Sequence, residues 1–182
     1  MAEPAEEWVV THLDVSHLIT EDDEAVDNFF QERQMAILTE ALRVSWEQGR
    51  PFVSGSDVGI FSRLDQQAIV PDVLLRTGVE MPEDFMRKEK RSYFIWNFGK
   101  PPDVVIEIVS NKKDEEDTRK LEHYARIKVP YYVIFDPEGF LSARPLRVFQ
   151  LSGASYIEKM DAVFPESGLG LTEWEGEFDG IG

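Results

Sequence analysis

The amino-acid sequence predicts an α/β (α+β) fold, a mixed β-sheet core flanked by helices, and two observations carry that prediction. One is the order of periodicities: a long stretch at helical spacing, several short extended runs, then a strand, a helix and a strand, the unit of a parallel crossover. The other is PPDVVIEIVSNKK, residues 101–113, where Val104, Val105, Ile106, Ile108 and Val109 make a β-branched run of the kind covered on both faces. Glu107 sits in its middle. A carboxylate buried without a partner costs several kcal/mol or takes up a proton, so something must compensate it.

The elements follow in order. Residues 1–19 read as an extended lead-in. Thr20 with Asp23 three positions on resembles a capping box, and Val26, Phe29, Phe30, Ile37, Leu38, Ala41 and Leu42 recur at helical spacing, so a helix is expected to run from there to Gly49-Arg50-Pro51. Phe52–Val53, Val58–Phe61 and Ala68–Leu75 read as short strands, with SRLDQQ as a hairpin connection. Residues 76–100 look like an insertion, in which SYFIWNF is a candidate strand. Past the Glu107 strand, DEED opens a helix reaching about Lys128, its negative charge placed at the end the macrodipole favours. YYVIFDP is a strand closed by a proline turn, and LRVFQL with SYIEKM reads as a terminal hairpin.

At 182 residues, with 42% hydrophobic and 30% charged side chains, the chain is expected to form a single domain over 1–182, with a terminal strand and acidic tail over 152–182. It has no cysteine, which excludes disulfides, thiolate zinc sites and cysteine nucleophiles. MAEPAEEWVV lacks a basic region followed by an apolar run, and no stretch reaches the roughly 20 apolar residues of a membrane span, so a cytoplasmic location is expected. Nineteen basic against 35 acidic residues give a net charge of −16, a field that repels nucleic acid unless basic side chains or cations gather locally. Arg87, Lys88, Lys90, Arg91 and Lys100 form a locally basic stretch that reads first as a solvated loop.

Glu107 and Asp72 both interrupt strands that otherwise read as core, and in neighbouring strands the two carboxylates would meet. Like charges held close raise one pKa strongly unless a cation lies between them, and Mg²⁺ is bound through one or two carboxylates plus waters. The main-chain carbonyl of Ile108 is a further candidate ligand. Lys120, thirteen residues past Glu107 on the following helix, is the candidate to orient water or stabilise charge on phosphorus. Each has a plainer account: an ion pair with an arginine for Glu107, a Pro-Asp turn for Asp72, and helical pairing with Glu116 and Asp117 for Lys120. Tyr124, Tyr131 and Tyr132 read as packing between helix and sheet. Ser110 and Asn111 read as a turn and cap, and His12, His17 and His123 do not cluster as metal ligands.

The combination of VPD at residues 70–72, PPDVVIEIVSN, and Lys120 within RKLEHYARIKVPYYVIFDP resembles the Uma family of restriction-endonuclease-like proteins, in the PD-(D/E)xK nuclease superfamily, over about residues 28–150. The resemblance implies a nuclease-like core, a Mg²⁺ or Mn²⁺ site at Asp72, Glu107 and the Ile108 carbonyl, and catalytic roles for Asp72, Glu107 and Lys120. In the standard spelling the lysine falls two residues after the glutamate; that position is Val109 here, which points to Lys120 instead. The first helix is expected to add a polar residue, with Glu32, Gln34 and Glu40 as candidates. Two functions remain in view: a metal-dependent endonuclease acting on DNA, and an inactive nuclease-fold binding or regulatory protein, with a homodimer expected for either.

Overall fold

The computed structural model describes residue 14, residues 29–109 and residues 116–177; the proposed Thr20–Asp23 cap, His12, His17, Ser110 and Asn111 lie outside these. Helix α1 (Phe29–Ser45) leads into strands β1 (Phe52–Ser56), β2 (Ile60–Phe61), β3 (Val73–Thr77) and β4 (Tyr93–Phe94). The short helix α2 (Ile95–Phe98), strand β5 (Val104–Ile108), a π-helical turn at Glu116–Lys120 and helix α3 (Leu121–Arg126) follow. Strands β6 (Tyr131–Phe135), β7 (Leu146–Ser152), β8 (Ser155–Lys159), β9 (Val163–Phe164) and β10 (Leu169–Gly170) complete the described chain.

Six strands form one sheet in the order β1-β3-β5-β6-β7-β8. Its ladders are antiparallel except β5–β6, which is parallel because the α3 crossover returns the chain to the same end. The sheet is covered on both faces, and β5 shows how. Val104, Ile106 and Ile108 join the core beneath α1, with Met35, Val73, Val133 and Phe164, whereas Val105 and Val109 join the core beneath α3, with Leu74, Tyr124, Tyr132 and Ile134. Strand alternation therefore puts Glu107 on the α3 side.

Several boundaries differ from the sequence reading. Helix α1 ends at Ser45 rather than near Gly49, because Trp46 turns back: its indole N–H donates to the Arg50 carbonyl and its ring meets Phe52 at 4.5 Å. The extended run at 68–75 becomes a strand only from Val73, since Pro71 has no N–H to give a ladder, while Ile69 bridges back to Ile60 across the SRLDQQ turn. SYFIWNF is strand only at Tyr93–Phe94, pairing parallel with β2. The chain then coils so that Phe98 stacks on Tyr93 at 4.3 Å, and Gly99 at φ 76° closes the turn. Helix α3 stops at Arg126 because Pro130 keeps Val129 extended. Lys128 adopts φ 66°, and the N–H groups of Lys128 and Val129 return to the carbonyls of Ala125 and Tyr124, a Schellman closure that fixes the helix end. The β7–β8 hairpin forms as expected, but residues 163–171 do more than trail: Phe164, Leu169 and Leu171 pack on the α1 side of the sheet.

Candidate active site

The site forms where β3 and β5 part. Their register pairs Val73 with Ile106, so one step further Asp72 falls opposite Glu107. The Asp57 N–H, from a residue at φ 53°, donates to the Asp72 carbonyl at 3.2 Å, one step past the last β1–β3 pair. Asp72 then substitutes for the missing strand partner: its Oδ2 accepts the Ile108 N–H. From α1, the Gln31 side-chain amide donates at 3.4 Å to Asp72 Oδ1 and at 3.5 Å to the Ile108 carbonyl. The N–H and the carbonyl of Ile108 are thus both held by side chains, and the two acids, one half-buried and one fully buried, lie at the same strand end.

Glu107 is 0% exposed, and its two oxygens have different partners. Oε2 accepts Lys120 Nζ at 2.9 Å, and Oε1 accepts the Tyr124 hydroxyl at 2.5 Å. Lys120 and Tyr124 are one helical turn apart, so a single face of the helix delivers both. Burial pushes the Glu107 carboxyl up to about 8; Lys120 opposes this, the neighbouring Asp72 charge adds to it, and the hydrogen bonds from Tyr124 and Lys120 moderate it. Burial, with the Glu107 carboxylate beside it, likewise holds the Tyr124 phenol well above its ordinary range.

Asp72, Glu107, Ile108 and Lys120 are therefore brought together, and the cation at Glu107 is a lysine rather than an arginine. Val109 is buried in the α3-side core, away from any lysine role. The first-helix candidates are corrected. Glu32 pairs with its neighbour Arg33 at 3.3 Å and Glu40 with Arg43 at 3.1 Å, while Gln34 makes no described contact with the site. Gln31 is the residue that arrives, because Gln31, Met35 and Thr39 form the buried stripe of α1. The other addition is the Tyr124 hydroxyl: the ring packs as expected, and its polar end reaches the acid. Spacing four residues after Lys120 was the available signal for it. His123 is half-buried on α3, its pKa lowered by burial and by Arg126 and Arg119, and among the described residues no three His, Cys, Asp or Glu side chains gather around a metal position.

A match to the Uma2 family model, described as "Putative restriction endonuclease", covers residues 24–168. The chain belongs to the Uma2 family. Among solved structures, it is similar to a "putative nuclease belonging to DUF820" from Anabaena variabilis ATCC 29413, at 14% identity over 77% of this chain and 74% of that chain, with a TM-score of 0.47. No curated protein matches it. Membership in Uma2 makes this a restriction-endonuclease-like chain, so the acids of the β3–β5 junction are weighed against nucleic-acid chemistry.

The donors at that junction suit a hard divalent cation. Asp72, Glu107 and the Ile108 carbonyl offer oxygen only, and two carboxylates are too few for a closed cage, which matches an ion that keeps several waters. A dication between the acids would favour the ionised form of Glu107 that burial disfavours. Among the described residues no helix is long and apolar enough to cross a membrane.

Proposed function

We propose that the protein is an endonuclease that hydrolyses phosphodiester bonds of DNA with Mg²⁺ or Mn²⁺ held by Asp72, Glu107 and the Ile108 carbonyl. The observation that supports it is the meeting of these three groups with the Lys120 ammonium at one strand end, within a family described as "Putative restriction endonuclease". Such an ion, when bound, supplies Lewis acidity toward a phosphate oxygen and acidifies water. The chain's own residues would do the rest. Asp72, fixed by the Ile108 N–H and Gln31, and Glu107, fixed by Tyr124, hold the acids in place before any ligand arrives. Lys120 is one-third exposed, so its ammonium can leave Glu107 to orient a water or meet charge developing on phosphorus. Exposed Arg119 and Arg126 on the same helical segment supply local positive charge in a chain of net −16. A symmetric duplex presents two strands, so two copies acting as a dimer complete the proposal.

The test is cleavage of single- and double-stranded DNA with Mg²⁺ or Mn²⁺, alongside calorimetric metal binding. Asp72→Ala and Glu107→Ala are expected to abolish both, whereas Lys120→Met should keep metal binding and lose about 10²–10³-fold in rate. Wild-type protein that neither binds metal nor cuts DNA would remove the enzyme reading. The second reading, a nuclease fold kept for binding or regulation, draws on one observation: Lys120 and Tyr124 already provide for both Glu107 oxygens. It expects the alanine variants to change stability alone, and no metal-dependent rise in melting temperature for the wild type.

A further inference from the structure

We propose that Tyr124 is a positioning residue for Glu107, its hydroxyl pinning Oε1 so that Oε2 is the carboxylate oxygen presented to an incoming cation. The inference rests on the metal site proposed above and concerns how that site is held. Its basis is an asymmetry between the two donors on one carboxylate. The Tyr124 side chain is 0% exposed, its ring lies 5.1 Å from that of Tyr132, and it is packed among Val105, Val109 and Ile127, so it has nowhere to turn. The Lys120 side chain is 33% exposed and ends in a flexible stem, so its ammonium can give way at Oε2 when another cation takes over the charge. One oxygen of Glu107 therefore keeps its partner and the other can change partner.

Packing alone does not call for the hydroxyl. A phenylalanine would fill the same space without burying a phenol, which is costly unless the O–H is paired. The pairing chosen is the carboxylate itself, at 2.5 Å, and not a backbone carbonyl of the surrounding core. Outer-shell hydrogen bonds of this kind fix ligand orientation, and their loss weakens metal affinity by about 10–100-fold. Tyr124→Phe is thus expected to lower Mn²⁺ affinity by that factor, measured by calorimetry or by electron paramagnetic resonance of free Mn²⁺. Its melting temperature without metal should fall only by the cost of one unpaired buried acceptor, and DNA cleavage should recover when Mn²⁺ is raised in proportion. A structural role would not move the metal midpoint.

Tyr124→Phe binding Mn²⁺ as tightly as the wild type would overturn the inference while leaving the metal site standing. Wild-type protein that binds no Mn²⁺ would take down both. Should the variant fail to fold, ¹³Cζ-labelled tyrosine in the wild-type protein replaces it. The Tyr124 resonance is expected to shift with the same midpoint as Mg²⁺ binding, and a resonance that stays still while Mg²⁺ binds would refute the pinning.

Discussion

Asp103 and Glu107 stand four residues apart, one just before β5 and one near its end, and both are buried. Asp103 accepts four donors: the Thr77 N–H at 2.7 Å, the Thr77 hydroxyl at 2.8 Å, Arg76 at 3.2 Å and Lys100 at 3.1 Å. Burial pushes its pKa up, but the Thr77 and Lys100 hydrogen bonds and the Arg76 charge outweigh that, and the carboxyl ends below its ordinary 3.8. Glu107 has two donors and a like-charged neighbour, and ends at about 8. The segment thus carries one acid whose four donors outweigh its burial and one whose two donors do not. The first ties β3 to β5, while the second is poised for another positive charge. Local provision of donors, more than burial, separates the structural acid from the candidate functional one.

Removing each acid should separate them most clearly. Asp103→Ala strands the buried Arg76 guanidinium, and breaking such a pair costs about 3–5 kcal/mol. Glu107→Gln keeps an acceptor for Tyr124, releases Lys120 to water and removes an acid whose ionisation burial disfavours, so metal-free stability at neutral pH should be kept or raised, not lost. Urea melts at neutral pH compare the two directly. Equal losses would mean that both ends of the strand are structural.

The pH profile sharpens the same contrast. Glu107 keeps its proton in the folded state at pH values where the unfolded chain, with an ordinary value of 4.5, has released it. Folded protein then binds more protons than unfolded, so stability falls as pH rises from about 4.5 to about 8. Asp103 has the opposite sign: its contribution is present above 3.8 and disappears as pH drops through its lowered folded value. Melting temperature against pH should show a declining limb between pH 5 and 8 that Glu107→Gln abolishes and that saturating Mg²⁺ flattens. The acid limb should survive in Glu107→Gln.

How much of this was legible in the sequence depends on where the information lay. The β-branched run around Glu107 needs both faces covered, so its burial could be read directly; Asp72 stood out as a second acid interrupting a core run and Lys120 as the cation on the following helix, and the family resemblance joined them. Helix α1 was harder, because its apolar positions do not mark one face: Phe29 is 81% exposed and Phe30 37% exposed. Its buried stripe is Gln31, Met35 and Thr39, and Thr39 is accommodated by donating to the Met35 carbonyl at 2.9 Å. A polar residue on a buried face satisfies itself through its own helix backbone, as Thr39 does, or through another element, as Gln31 does, and hydrophobic spacing registers neither. The β2–β4 pairing was hidden for the same reason: it joins two-residue strands whose partners are 33 positions apart.

Gln31 gives the smallest effect and the finest test of the contrast. Its amide bonds to Asp72 and to the Ile108 carbonyl are long, at 3.4 and 3.5 Å, and Asp72 is half-buried, so water can replace part of what Gln31 supplies. Gln31→Leu should therefore cost about 0.5–1 kcal/mol without metal. Gln31→Glu places a third acid beside Asp72 and Glu107, which lowers metal-free stability through like-charge repulsion and should be offset by Mg²⁺. At the Asp103 end, where the acid already has its four donors, added Mg²⁺ should change nothing for Asp103→Ala beyond the wild-type shift. Thermal melts of the three variants with and without Mg²⁺ decide this: a Gln31→Glu deficit that metal does not repair would place the cation away from the β3–β5 junction.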